Sequence, residues 1–153
     1  MVTRRPAHGF TLIELLTVVA ITAILAGMAA PAFKSLVATQ RARATTTDLF
    51  AALLLARSEA IKRDTQVTLQ PVTGGWQAGW TIPNPSDTGH PVANHGPVTG
   101  GTITGPDSVV YLPNGRVATD TAPSFDIAVD GASSHRCVQV DLSGRPRMQA
   151  SGC

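Results

Sequence analysis

The chain has 153 residues, 43% hydrophobic and 14% charged, with a formal net charge of +2 and two cysteines. That length suits one modest domain beside an extended segment. A charge this close to zero excludes a globally basic protein, so any nucleic-acid site has to be local.

Arg4 and Arg5 come first, followed by His8-Gly9 and then the stretch from Gly9 to Ala30, GFTLIELLTVVAITAILAGMAA. From Phe10 onward the run is almost unbroken apolar sequence, long enough to cross a bilayer as one helix. Its single charge, Glu14, lies near the start, where an unpartnered carboxylate in a membrane is costly and points to a functional partner. Basic residues ahead of such a segment keep that end in the cytoplasm, so the rest of the chain is expected on the periplasmic side. A cleaved secretory signal or a plain anchor accounts for the hydropathy. The run is longer than a signal core, however, and Ala26, Ala29 and Ala30 only mimic a small-residue cleavage site.

Neither reading accounts for the start Gly-Phe-Thr-Leu-Ile-Glu behind a basic leader. That pattern resembles the class III signal of type IV pilins and type II secretion pseudopilins. The resemblance implies that residues 1–9 are a leader removed by a prepilin peptidase after Gly9, and that the new terminus, Phe10, is methylated. It also assigns Glu14 to filament assembly, opposite the cationic Phe10 amine of a neighbouring subunit. In low dielectric such a pair is far less costly than either charge alone. The implied partners are other pilins, the peptidase and the inner membrane, with the mature subunit held in that membrane as a single pass and then in a pilus at the cell surface. Without Arg4 and Arg5, ten basic side chains balance ten acidic ones.

Residues 10–30 are therefore read as the transmembrane and filament-core helix. Pro31 is expected to interrupt it by removing a backbone hydrogen bond, and pilin helices carry a proline at about this place. Residues 31–63 read as the periplasmic part of the helix. Leu49, Phe50, Leu53, Leu54, Ala60 and Ile61 recur at helical spacing and predict a core-facing side. Lys34, Arg41, Arg43, Arg57, Lys62 and Arg63 predict a solvated basic face, partly near lipid headgroups. The run ARSEAIKR, which contains Arg57 and Glu59, is similar to the helix end of the FimT and GspH classes of minor pilin.

Residues 64–153 read as a β-rich domain. Short strands are expected over Val67–Gln70, Trp76–Ile82, Ser108–Leu112, Phe125–Val129 and Cys137–Leu142, separated by turn residues. Trp76 and Trp80 share a face and read as core. Pro83–Asp107 reads as a long loop with a short strand near Val98–Ile103, and His90 and His95 read as exposed loop histidines. Pro113-Asn114-Gly115-Arg116 reads as a turn. No nucleophile-and-base set, phosphate loop or metal set is evident, which predicts neither an enzyme nor a cofactor. The fold class is α+β: a long N-terminal helical spine and a small antiparallel β domain, pilin-like by resemblance.

In a periplasmic domain, Cys137 and Cys153 are expected to pair. Free thiols or a metal pair are the alternatives, and two cysteines without a histidine pair make a poor zinc set. From Asp64 on there are seven aspartates and only four arginines, so the string Gly144-Arg145-Pro146-Arg147 is a local cationic spot. Pro146 favours extended backbone, which would put Arg145 and Arg147 on one side, where guanidinium groups can meet phosphates. Solvated surface charges near Asp141 are the competing reading. A GRxR motif near the C-terminus resembles that of FimT-class pilins involved in DNA uptake, matched by Gly144, Arg145 and Arg147. The resemblance implies double-stranded DNA as a partner in natural transformation, with Arg136 as a candidate extension outside the motif. A GspH-like structural subunit of a pilus or secretion filament, without DNA binding, is the second expectation.

Overall fold

The computed structural model describes residues 10–87 and 89–153. The leader, with Gly9, lies outside the described residues. The chain divides into two compact units, one ending at Lys34 and one spanning Ser35–Cys153. One helix, α1 (Leu12–Arg63), contributes to both.

In the first unit the apolar side chains from Phe10 to Phe33 are exposed. This part of α1 is long and apolar enough to cross a membrane. Helical structure runs through Pro31, where the sequence predicts an interruption. Proline removes one N–H from the ladder, and here the helix continues on both sides of it.

In the second unit α1 buries Ala38, Ala42, Leu49, Ala52, Leu53, Ala56 and Ala60. Successive members lie mostly three or four residues apart, a single stripe of a 3.6-residue helix. The expected face was centred on bulky residues, and the stripe instead uses alanines. Leu49, Leu53 and Ala60 are in it, whereas Leu54 and Ile61 are exposed, one step around the helix. Small side chains let the helix backbone approach the sheets closely, and tertiary packing selected them over larger neighbours.

The helix stops in a Schellman arrangement. The Thr65 amide donates to the Ala60 carbonyl and the Asp64 amide to the Ile61 carbonyl, with Asp64 at φ 50°. Lys62 and Arg63 in the last turn complement the helix dipole. Glu59 is buried and accepts from Arg63 Nε at 2.6 Å and from Lys62 Nζ at 3.4 Å, while Arg63 also reaches Asn84. The hydrogen bond from Arg63 holds the Glu59 carboxyl below its ordinary range.

Eight strands follow: β1 (Val67–Val72), β2 (Gly75–Ile82), β3 (Ala93–His95), β4 (Gly101–Thr104), β5 (Val109–Tyr111), β6 (Ser124–Val129), β7 (Arg136–Val140) and β8 (Pro146–Gln149). They form two antiparallel four-stranded sheets, β3-β2-β1-β5 and β4-β6-β7-β8. Both contribute to one core with the alanine stripe. Trp76 of β2 meets Phe125 of β6 edge-to-face at 4.8 Å and donates its indole N–H to the Pro106 carbonyl, which joins the sheets. All five expected strands are present, with no end shifted by more than two residues. The stretch read as a long loop holds β3 as well as β4. Pairing of β3 with β2 lays the His95 ring on Trp80 at 3.9 Å, with Asp48 3.4 Å from Nε2. His95 is therefore half-buried in a strand and not an exposed loop residue; His90 is exposed.

Candidate functional site

Two places carry the residues singled out by sequence. At the start of α1, Glu14 Oε2 accepts from the Thr11 amide at 2.8 Å and from the Thr11 hydroxyl at 2.9 Å, while the Glu14 amide donates back to Thr11 Oγ1 at 3.3 Å. This is a capping box, with Thr11 as N-cap and Glu14 three residues into the helix. The sequence reading gave Glu14 only an intermolecular partner. The pattern Thr-x-x-Glu ahead of an apolar run was the signal for the local one. Within a single chain Glu14 thus starts the helix that carries it, and Phe10 stands exposed just before it.

The second place is the β7–β8 hairpin. Its register pairs Val140 with Pro146, Gln139 with Arg147, Val138 with Met148 and Cys137 with Gln149. The connecting turn is closed by the Gly144 amide donating to the Asp141 carbonyl at 2.8 Å, and by Asp141 Oδ1 accepting from the Ser143 hydroxyl at 2.5 Å and the Arg145 amide at 3.0 Å. These bonds, the one from Ser143 foremost, hold the Asp141 carboxyl below the ordinary aspartate range. Pro146 is buried between exposed Arg145 and exposed Arg147, so both guanidinium groups leave on the solvent side as the alternation of an extended chain requires. Arg147 comes within 3.8 Å of Asp141. Arg145 has no side-chain partner among the described residues.

Gly144 has a different role from its arginine neighbours. It is buried at φ 81°, and a Cβ there would fall on the Gly115 carbonyl oxygen and lie 3.2 Å from the Tyr111 ring. Only glycine suits both the left-handed backbone and the close approach. The 113–116 turn is thus packed directly on the hairpin turn. It is fixed from the other side by Arg57 Nε, which donates to the Gly115 carbonyl at 3.0 Å, and by Ile61. The Tyr111 hydroxyl beneath is buried without a partner among the described residues, and burial raises its pKa.

Arg136 belongs to the other end of the hairpin. It pairs with Ile127 on β6, three residues from Gln139, the partner of Arg147. At about 3.4 Å per residue that is roughly 10 Å along the strand, and odd spacing turns it to the opposite face. The structure therefore brings Arg145 and Arg147 together and leaves Arg136 apart. That end is tied down instead. Cys137 and Cys153 form a disulfide with Cα atoms 5.0 Å apart, the Cys153 amide donates to Asp126 Oδ1 at 3.2 Å, and His135 Nδ1 lies 2.8 Å from Asp126 Oδ2. Among the described residues there is no cluster of metal-ligating side chains.

Comparison with known proteins places this architecture. Solved structures with the same fold include the type IV minor pilin FimU of Pseudomonas aeruginosa PAO1, in two crystal forms. One is 22% identical, covering 70% of this chain and 91% of that one with a TM-score of 0.60. The other is 21% identical, covering 70% and 87% with a TM-score of 0.61. The minor pseudopilin EpsH from the type 2 secretion system of Vibrio cholerae is 15% identical, covering 72% and 97% with a TM-score of 0.56. No curated protein sequence matches the chain. The prokaryotic N-terminal methylation motif matches residues 4–30. The pattern of the type II transport protein GspH matches residues 45–144, which take in most of α1 within the second unit, β1 to β7 and the hairpin turn as far as Gly144, and the chain belongs to the GspH family.

Proposed function

We propose that the chain is a minor pilin that binds double-stranded DNA through Arg145 and Arg147 and supports DNA uptake in natural transformation. Before assembly the apolar half of α1 holds it in the inner membrane with the β domain in the periplasm. After cleavage behind Gly9 and methylation of Phe10 it enters a type IV pilus. The methylation motif, the exposed apolar helix and the likeness to FimU support the filament role. The observation that carries the DNA reading is the pair of exposed arginines on one side of a braced turn, in a domain otherwise rich in aspartate. Contacts from two guanidinium groups go to phosphates, which carry no sequence code, so binding is non-specific, with Kd in the range of about 10⁻⁴ to 10⁻⁶ M.

The test is a gel shift or NMR titration of the full chain in neutral detergent micelles with a short duplex. Arg145→Gln with Arg147→Gln should nearly abolish binding while the fold is kept, and lysine at either site should restore it only in part because the planar fork is lost. In cells the double variant should make pili yet take up DNA poorly. Unchanged affinity in the folded double variant would leave the second reading, a GspH-like structural subunit of a pilus or secretion filament, which the GspH pattern and the likeness to EpsH favour. The filament role has its own test. Glu14→Ala should stay membrane-bound and folded but fail to incorporate, and mass spectrometry should find a mature chain beginning at methylated Phe10.

A further inference from the structure

We propose that Arg116 is a third phosphate-contacting arginine of the same DNA site, delivered by the turn that Gly144 packs against. This rests on the reading that Arg145 and Arg147 bind DNA. The two turns are in direct contact. Gly144 has no room for a side chain because the Gly115 carbonyl oxygen occupies the direction a Cβ would take. The residue after Gly144 is Arg145, and the residue after Gly115 is Arg116. Two arginines thus follow two glycines whose backbones touch, although they are far apart in sequence.

The position of Arg116 is well defined at the backbone and free at the side chain. Its amide donates to Asn114 Oδ1 at 3.0 Å, and its carbonyl accepts from the Leu112 amide at 2.8 Å. The Gly115 carbonyl is held by Arg57 at 3.0 Å, and a Cβ on Gly115 would meet Ile61 Cδ1 at 2.8 Å, so helix and hairpin clamp the turn between them. The Arg116 side chain is exposed and makes no ion pair or hydrogen bond among the described residues. Arg57 acts through Gly115 and is a positioning residue.

Charge distribution points the same way. Residues 64–153 contain four arginines against seven aspartates. Arg116 and Arg145 lie on the two touching turns, Arg147 follows at the start of β8, and the fourth, Arg136, is at the far end of the hairpin. The carboxylate of Asp141 is already engaged by Ser143, the Arg145 amide and Arg147. A duplex laid across both turns meets three guanidinium groups carried by two independent backbone segments. Three phosphate contacts correspond to a slope of log K against log salt of about −2.7, and two to about −1.8.

The experiment is fluorescence anisotropy of a short DNA duplex with the full chain in neutral detergent micelles, over a series of salt concentrations. Arg116→Gln should flatten the slope by about 0.9 and weaken binding about fivefold near physiological salt, with an unchanged circular dichroism spectrum. Arg136→Gln changes formal charge equally and should leave slope and affinity as in the wild type. If Arg145→Gln/Arg147→Gln loses binding while Arg116→Gln matches wild type, the third contact is overturned and the two-arginine site stands. An equal effect of Arg136→Gln would replace the site with general charge and likewise overturn it. A wild-type chain without salt-dependent binding, or a double variant that binds normally, removes the underlying reading and this inference with it. Arg116→Gln that loses only adsorption to phosphatidylglycerol vesicles, with DNA binding intact, would assign the arginine to lipid and overturn the proposal.

Discussion

The two ends of the β7–β8 hairpin are built on opposite plans. At one end Cys137, Cys153, Asp126 and His135 bind the chain terminus to the sheet by a covalent bond and carboxylate contacts. At the other, the turn through Gly144 is held by close packing on Gly115, and its arginines remain exposed. One end uses its polar groups to satisfy each other. The other satisfies its backbone internally through Asp141 and leaves the Arg145 and Arg147 side chains exposed. The difference teaches that the disulfide and the arginines, close in sequence, belong to opposite ends: the bridge closes the tail, and the hydrogen bonds and close packing that hold the turn involve neither cysteine.

Gly144→Ala should break the turn end most severely. The left-handed backbone and the overlap with the Gly115 carbonyl together cost about 2–5 kcal/mol. Thermal melting should show that loss, and DNA affinity should fall with it, although no charge has been removed. A variant with wild-type stability would show that the two turns do not touch.

Breaking the tail end tests the separation directly. Cys137→Ser with Cys153→Ser opens a bridge across a sequence separation of 16, which removes roughly 3 kcal/mol on the chain-entropy account. Stability measured by denaturant titration should drop. DNA affinity at a temperature where the fold persists should stay within about twofold. A parallel collapse of binding would join the two ends into one device. Non-reducing peptide mapping of exported protein should recover Cys137 and Cys153 joined.

The smallest effects belong to Asp141. Asp141→Asn keeps an oxygen for Ser143 and the Arg145 amide and removes the negative charge near Arg147. Affinity for DNA should rise about twofold to fivefold, the scale of an exposed ion pair. The same carboxyl sets an acid dependence. Its pKa lies below the ordinary aspartate value, so its contribution to stability is complete above that value and is lost as pH falls through the lowered one. Wild-type stability should therefore decline at the turn only below about pH 4, and Asp141→Asn should lack that part of the decline in acid melting curves.

Much of this was legible from local sequence. The start Gly-Phe-Thr-Leu-Ile-Glu, the apolar run, the change from helical to alternating pattern after Asp64 and the two-residue spacing of Arg145 and Arg147 all depend on neighbours along the chain. Each is a property of a helix or strand by itself, and the structure has the helix, the expected strands and the two arginines on one side. The pairing of Cys137 with Cys153 was legible because there was no third cysteine to choose.

What tertiary structure decided were the choices among equally good local options. Alanines rather than Leu54 and Ile61 face the core, because distance between helix and sheets selects volume and periodicity does not. His95 left its expected loop because a three-residue strand has too little pattern to announce itself and is defined by its pairing with β2. Arg136 left the cationic patch because hairpin register, fixed by the turn at Asp141–Arg145, put it at the other end. The contact of Gly144 with Gly115 joins the first sheet's last strand to the second sheet's last hairpin. No spacing within either segment encodes it, since it exists only once both sheets pack on the same face of α1.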